Sequence, residues 1–425
     1  MSESAPERIY GIRTSTAFVV GTVVGTGIYL KPSFLAQTMG ATSHVLFLWF
    51  LGGCFATSGA VVYTRLARRW PLSGGPYQYL NRVYGPWAAS LLSAADVFLA
   101  RPAAVGALAT GLGLIWGLSQ QGCLSLAALL IVSLTAIQLA GSRTQGRSQI
   151  LLTLLQLAPL LLLLILAFVF PSDKSVIVLE STGIESKWAT GFLAVLWAFD
   201  GWYNVTILAG EVKDPGHTFQ RSLIGGMIGV TLLYLALNAI LWQELGPNAI
   251  SRASLPFLEL LNKWELPHLG AGIQVALSFA LLGTLNGTLA CGSRMIVAAA
   301  EDGLLNRRIG FNPTGLAPTL CFSLWCLGLL ALFGGLETEQ SLFDSLSEFT
   351  AVIVVTLSAL TVSCVFRSKH FRLPLSVGVR ACALFYLLIS GLLLLLLISE
   401  QNLLALWGCA AVLILGTFLN MRRQG

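Results

Sequence analysis

The sequence predicts an all-α polytopic membrane protein, and three observations carry that prediction. Of its 425 residues, 56% are hydrophobic and only 10% are charged, against roughly 25% charged in a soluble domain. Apolar runs recur from end to end, and stretches such as Leu151 to Phe170 and Leu392 to Ile398 carry no charge at all. Two of the runs are interrupted, one by Gly25-Thr26-Gly27 and one by Phe199-Asp200-Gly201. Glycine weakens a helix and a mid-membrane aspartate costs about 2.5 to 3.5 kcal/mol on insertion scales, so neither belongs in a segment that merely spans. Both point to a substrate site.

At about 20 residues per crossing, the runs divide into about twelve helices: 14–38, 44–69, 85–117, 121–140, 147–170, 187–209, 219–245, 268–300, 316–335, 342–366, 377–397 and 400–421. A count of eleven would move the C-terminus to the opposite face, and charge decides between the two. With a cytoplasmic N-terminus and twelve spans, nineteen of the 25 Lys and Arg residues fall inside, leaving Lys31, Arg101, Lys174, Lys187, Arg252 and Lys263. That is the bias of the positive-inside rule, so both termini are expected in the cytoplasm and the protein in the plasma membrane, the inner membrane if bacterial. The tail 1–13 is polar and lacks the apolar stretch and cleavage site of a signal peptide.

The interrupted segments are the first and the sixth, so they head two five-helix halves of opposite orientation. Inverted repeats with broken first helices put a binding site at the bilayer midplane, where half-helix ends and freed backbone groups replace water. The chain then divides into 14–170, 187–366 and a remaining pair of helices at 377–421.

Unwinding at Val23-Val24-Gly25-Thr26-Gly27 would expose N–H groups at a half-helix start, which carries about half a positive charge and suits a carboxylate. Taken alone, the glycines serve close helix packing equally well. Asp200 is a functional candidate by position. With the carbonyls of Ala198 and Phe199 it would meet a cationic group, while Phe199 and Trp202 supply apolar walls; a structural ion pair or a protonated Asp200 is the competing reading. Asp96 and Arg101-Pro102 in the third segment read as an internal charge pair in a kinked helix. Gln156 in the fifth is either interhelical glue or a ligand, and Asn286 in the eighth is read as glue. Glu211 and Glu301-Asp302 either pair with arginines as a gate or are ordinary loop charges.

Other chemistry is not expected. The net charge of +6 comes from clusters between apolar runs, not from one basic face, so nucleic acid is not an expected partner. The eight cysteines show no C-x-x-C spacing and the four histidines are scattered, so no metal is expected. There is no phosphate loop and no catalytic constellation, so neither a cofactor nor an enzyme activity is expected, and energy would come from gradients or exchange.

These motifs, in this order, resemble those of a known superfamily. Gly21-Thr-Val-Val-Gly25-Thr-Gly-Ile-Tyr29, Ser73-Gly-Gly-Pro-Tyr77-Gln-Tyr79 with Tyr84-Gly-Pro86, and Phe199-Asp-Gly-Trp202 with Gly210-Glu-Val-Lys-Asp-Pro215 resemble the amino acid–polyamine–organocation transporters. Ser293-Arg294, Glu301-Asp-Gly-Leu304 and Phe371-Arg-Leu-Pro374 continue the match. Arg101-Pro102 and Leu285-Asn-Gly-Thr288 are similar to the L-type amino acid transporter branch and its bacterial relatives. The resemblance implies a LeuT-like fold of two inverted five-helix repeats plus two helices. It also implies sodium-independent exchange of neutral and, with Asp200, cationic L-amino acids by alternating access. By the same resemblance the amides of Gly25, Thr26 and Gly27 receive the α-carboxylate, the carbonyls near Val23, Val24, Ala198 and Phe199 receive the ammonium, and Gly201 belongs to the second break. Two departures stand out: Gln156 occupies the place of a lysine common in sodium-independent relatives, and Gly210 that of a glutamate. The rivals are a proton-coupled amino acid or polyamine symporter and a membrane sensor or scaffold that does not transport. Animal members of the branch have a heavy-chain partner; the short loop before Cys123 and the compact termini lead us to expect none here.

Overall fold

A computed structural model describes residues 7–39, 41–170, 186–303, 305, 316–333, 339–367 and 375–399. In hydrocarbon every backbone polar group has to be satisfied within the chain, and a helix does this locally. The described chain is accordingly helical nearly throughout: α1 (Ile12–Val23), α2 (Gly27–Thr38), α3 (Thr42–Arg69), α4 (Pro76–Tyr84), α5 (Pro86–Ala95), α6 (Arg101–Ile115), α7 (Gln120–Leu139), α8 (Ser142–Val169), α9 (Trp188–Phe199), α10 (Asn204–Ile207), α11 (Pro215–Phe219), α12 (Gly226–Arg252), α13 (Pro256–Lys263), α14 (Gly270–Glu301), α15 (Leu316–Phe333), α16 (Glu339–Ser363) and α17 (Val377–Ser399).

Among the described residues, eight helical stretches are long and apolar enough to cross a membrane, from Ile12–Thr38 to Val377–Ser399, and Trp188–Phe199, Leu316–Ala331 and Thr350–Phe366 are shorter apolar helices. They lie where the first eleven expected segments lie. The twelfth, 400–421, falls outside the described residues. The first segment is broken between α1 and α2, and the sixth between α9 and α10.

Two segments differ from the plain helices expected of them. The lead into the third forms its own helix, α4, set between Gly75 (φ 43°) and Gly85 (φ 88°) with Pro76 at its first turn. The third segment itself carries a π-helical turn, Asp96–Ala100, closed by a bond from the Arg101 N–H to the Asp96 carbonyl. Five residues per hydrogen-bonded ring bring Asp96 and Arg101 onto one face, which an α-helical turn would not do at that spacing. The seventh segment is longer than 219–245, because α12 continues beyond a kink at Gly246 (φ 73°) and Pro247 to Arg252.

Around the breaks, α1 packs against α8 and α14, α2 against α9, and α16 against α6 and α9. Small residues set these distances. A Cβ added to Gly21 would meet Thr153 Oγ1 at 2.2 Å, and one added to Gly287 would meet Thr22 Cγ2 at 2.1 Å.

Candidate functional site

The two breaks lie against each other, backbone to backbone. A Cβ on Gly27 would stand 2.4 Å from Ala198 Cα, and a Cβ on Gly201 would stand 2.7 Å from the Thr22 carbonyl oxygen. Gly201 also has φ +97°, a left-handed conformation that favours glycine. Each break thus contributes one glycine that admits the other's main chain. The Thr22 hydroxyl is shared between the Phe18 carbonyl of its own helix at 2.5 Å and the Gly201 carbonyl across the junction at 2.8 Å.

Beside this crossing is a cavity. Val23, Gly25, Thr26 and Gly27 line it from the first break, and Asp200 and Gly201 from the second. Its remaining wall includes Asp96, Arg101, Tyr203, Asn204, Thr284 and Thr288. Two carboxylates and one guanidinium therefore face the space, an excess of one negative charge.

That excess belongs to Asp200. Arg101 is held by Asp96 through Nε at 3.0 Å and Nη2 at 2.8 Å, and its Nη1 donates to Asn204 Oδ1 at 3.1 Å. The pair is buried and internally satisfied, as an intramembrane charge pair must be. Asp200 Oδ1, in contrast, is buried with no hydrogen-bond partner among the described residues, and so is the Thr26 hydroxyl. Asp200 also sits at the C-terminal end of α9, where the helix dipole is negative and adds to its own charge. A cation or a proton would complete this corner. Across the cavity, α2 begins at Gly27, so its first N–H groups have no acceptor one turn back and carry the positive end of that helix. The Gly25 N–H turns back to the Val23 carbonyl at 2.8 Å, so this end presents Thr26 and Gly27 rather than all three amides.

The other expected site residues stand elsewhere. The carbonyls of Val23 and Ala198 both accept from the Tyr234 hydroxyl on α12, at 3.0 and 3.2 Å. In this conformation a ligand ammonium would share them with tyrosine. Val24 and Phe199 are buried but do not line the cavity; Phe199 packs its ring 5.1 Å from Tyr234 and 6.0 Å from Trp49. Trp202 turns to Tyr63, with ring centroids 4.8 Å apart. Gln156 is fully buried on α8 where that helix meets α1 and α14, outside the cavity wall, and neither of its amide atoms has a partner among the described residues.

Further along α8 the polar groups are satisfied. Gln145, Gln149 and Thr153 repeat every four residues and make one stripe. Thr153 donates to the Ala17 carbonyl at 3.0 Å and Gln149 to that of Gly283 at 3.1 Å. Asn286 donates to Gln149 Oε1 at 2.8 Å and accepts from Gln138 at 3.0 Å, the interhelical glue expected of it. Gln145 donates to Gln138 and accepts from Arg294 at 2.7 Å. Arg294 closes on Glu211 at 2.9 Å, a fully buried ion pair. Tyr10 donates to the Ser142 carbonyl at 3.0 Å, and its segment pairs with the chain after Glu211 in a short bridge, Tyr10 to Val212. Burial drives the Tyr10 hydroxyl's pKa upward, so it stays a neutral donor. Glu301 is exposed, and Asp302 accepts from Asn81 at 2.7 Å.

Thr22, Tyr203, Asn204, Thr284, Thr288 and Tyr234 were not anticipated. Thr284 and Thr288, four apart on α14, could have been read as one polar face. Tyr234 gave no such signal, because its partners are main-chain carbonyls.

The amino acid permease family model matches residues 10–420. The serine/threonine exchanger SteT of Bacillus subtilis (strain 168) is 28% identical over 306 residues, 68% of this chain and 68% of its own length. Human b(0,+)-type amino acid transporter 1 is 22% identical over 306 residues, 69% of this chain and 63% of its own. Mouse Asc-type amino acid transporter 1 is 25% identical over 319 residues, 69% of this chain and 58% of its own. The chain thus matches less than two thirds of the length of these two mammalian relatives.

Proposed function

Because the chain belongs to the amino acid permease family, we propose that it is a membrane transporter exchanging neutral and cationic L-amino acids, without sodium, by alternating access. The observation that carries this reading is the pairing of opposite helix ends in one cavity, the positive start of α2 suited to a carboxylate and the negative end of α9, beside Asp200, suited to a cation. An amino acid carries both charges. The Thr26 and Gly27 amides and the Thr26 hydroxyl take the α-carboxylate. The Val23 and Ala198 carbonyls take the ammonium, shared with Tyr234, while Asp200 takes a cationic side chain or, for a neutral substrate, adds its field to the ammonium. Names of relatives support exchange and both substrate charges, as in the serine/threonine exchanger and the b(0,+)-type transporter.

In this reading the broken helices head inverted five-helix repeats, 14–170 and 187–366, followed by 377–421, with both termini in the cytoplasm of a plasma or inner membrane. No heavy-chain partner is required. Gln156 cannot carry the fixed positive charge of a lysine, which leaves the coupling mode to be decided by transport assays; closure that needs the substrate's two charges would disfavour empty return and favour exchange.

The test is counterflow in proteoliposomes with a panel of amino acids, comparing the parent with Asp200→Asn. Uptake of cationic amino acids should fall selectively. Equal loss or equal retention for all substrates would remove Asp200 from selection, and uptake driven by a proton gradient with no internal amino acid would replace exchange by symport.

A further inference from the structure

A second built pocket lies at the opposite end of α8 from its apolar terminus, well away from the cavity between the breaks. It is lined by Arg143, Arg147 and Lys213, by Glu7, and by Thr14 and Ile150. Three cations face one carboxylate. Among the described residues Glu7 pairs with Arg143, at 2.8 Å, and both side chains are about 70% exposed, so this pair contributes little. Arg147 and Lys213 are exposed and have no ion-pair partner among the described residues.

The depth of the pocket identifies its occupant. Arg147 is the last charge on α8 before the helix turns apolar; Leu151 and Leu154, the next outward-facing residues, are 58% and 62% exposed and so face lipid. The pocket therefore opens at the level where phosphate headgroups meet acyl chains. Ile150 in its wall continues into that apolar face.

We propose that this pocket holds the headgroup of an anionic phospholipid, its phosphate between Arg147, Lys213 and Arg143 and its acyl chains along the outer face of α8. Tyr10 forms the inner wall, and the Lys213 N–H donates to the Tyr10 carbonyl at 2.8 Å. The lipid thus braces the segment that bridges to Val212 beside the buried Arg294–Glu211 pair. It favours the conformation described here. The inference needs the membrane location and not the transport reading.

The experiment follows thermal unfolding of the purified full-length chain in detergent, titrated with short-chain phosphatidylglycerol, phosphatidylcholine of equal chain length, or inorganic phosphate. Phosphatidylglycerol should raise the melting temperature in a saturable way while the other two do not. Replacing both Arg147→Ala and Lys213→Ala should weaken the apparent lipid affinity by about thirtyfold, at about five- to sixfold per cation. The exposed Arg380→Ala should leave it unchanged, and Arg147→Lys with Lys213→Arg should retain it even if the alanine pair proves less stable. Equal responses to the two lipids, a full response to phosphate alone, or an undiminished response in the alanine pair would each overturn the proposal.

Discussion

The cavity between the breaks and the polar seam that runs from Gln149 to Arg294 hold similar groups at similar burial, yet their accounts close differently. In the seam Glu211, Arg294, Gln145, Gln138, Asn286 and Gln149 all find partners inside the protein. In the cavity Asp200 Oδ1 and the Thr26 hydroxyl find none among the described residues. A satisfied buried network holds helices together, whereas a buried polar group that finds no protein partner in a cavity leaves its bonding capacity to water or a ligand. The same kind of residue therefore has opposite meanings in the two places.

The comparison breaks most forcefully in the seam. Glu211→Ala leaves Arg294 buried and uncompensated and should cost about 3 to 5 kcal/mol in thermal or denaturant unfolding; a stability near that of the parent would show the seam to be wetter than its burial implies. Next comes Gly201→Ala, which imposes left-handed strain of about 1 to 3 kcal/mol in addition to the clash with Thr22, with uptake lost together with stability. Gly25→Ala, whose Cβ would meet Thr284 Oγ1 at 3.0 Å, should be milder than Gly201→Ala in both assays. Tyr234→Phe releases the Val23 and Ala198 carbonyls and should cost about 1 to 2 kcal/mol. If those carbonyls bind ammonium, its apparent substrate affinity should change as well, and an affinity equal to the parent's would separate tyrosine from the site. The smallest stability effect is expected at Asp200→Asn, within about 0.5 kcal/mol of the parent, because the amide oxygen can still accept from the Gly201 N–H. A larger loss would place Asp200 with the seam.

Much of this arrangement was legible in the sequence, for physical reasons that differ from residue to residue. Glycines and an aspartate in apolar runs are expensive, so the breaks and Asp200 announced themselves. The pair of Asp96 and Arg101 was legible as a pair, and their five-residue separation, awkward for an α-helix, was the available clue to the π-turn. The stripe of Gln145, Gln149 and Thr153 is also readable by its period, whereas Gln156 stands out because it replaces an expected charge. Tyr234 was not readable at all. A tyrosine in an apolar helix is ordinary, and which carbonyls it reaches depends on how α12 leans on both breaks. That Trp202 and Phe199 turn away from the cavity was hidden for the same reason, since a break fixes where the chain goes and not which side its aromatic rings take.

The contact of Gly27 with Ala198 and of Gly201 with Thr22 has a mechanical consequence. Side chains between two helices act as springs, since rotamers can absorb part of any displacement. Here main chain bears directly on main chain, with a hydroxyl bond across the joint and no spring. A shift of one interrupted helix is transmitted to the other without slack, as at the pivot of a pair of scissors. A single methyl group inserted at that pivot would jam both arms at once.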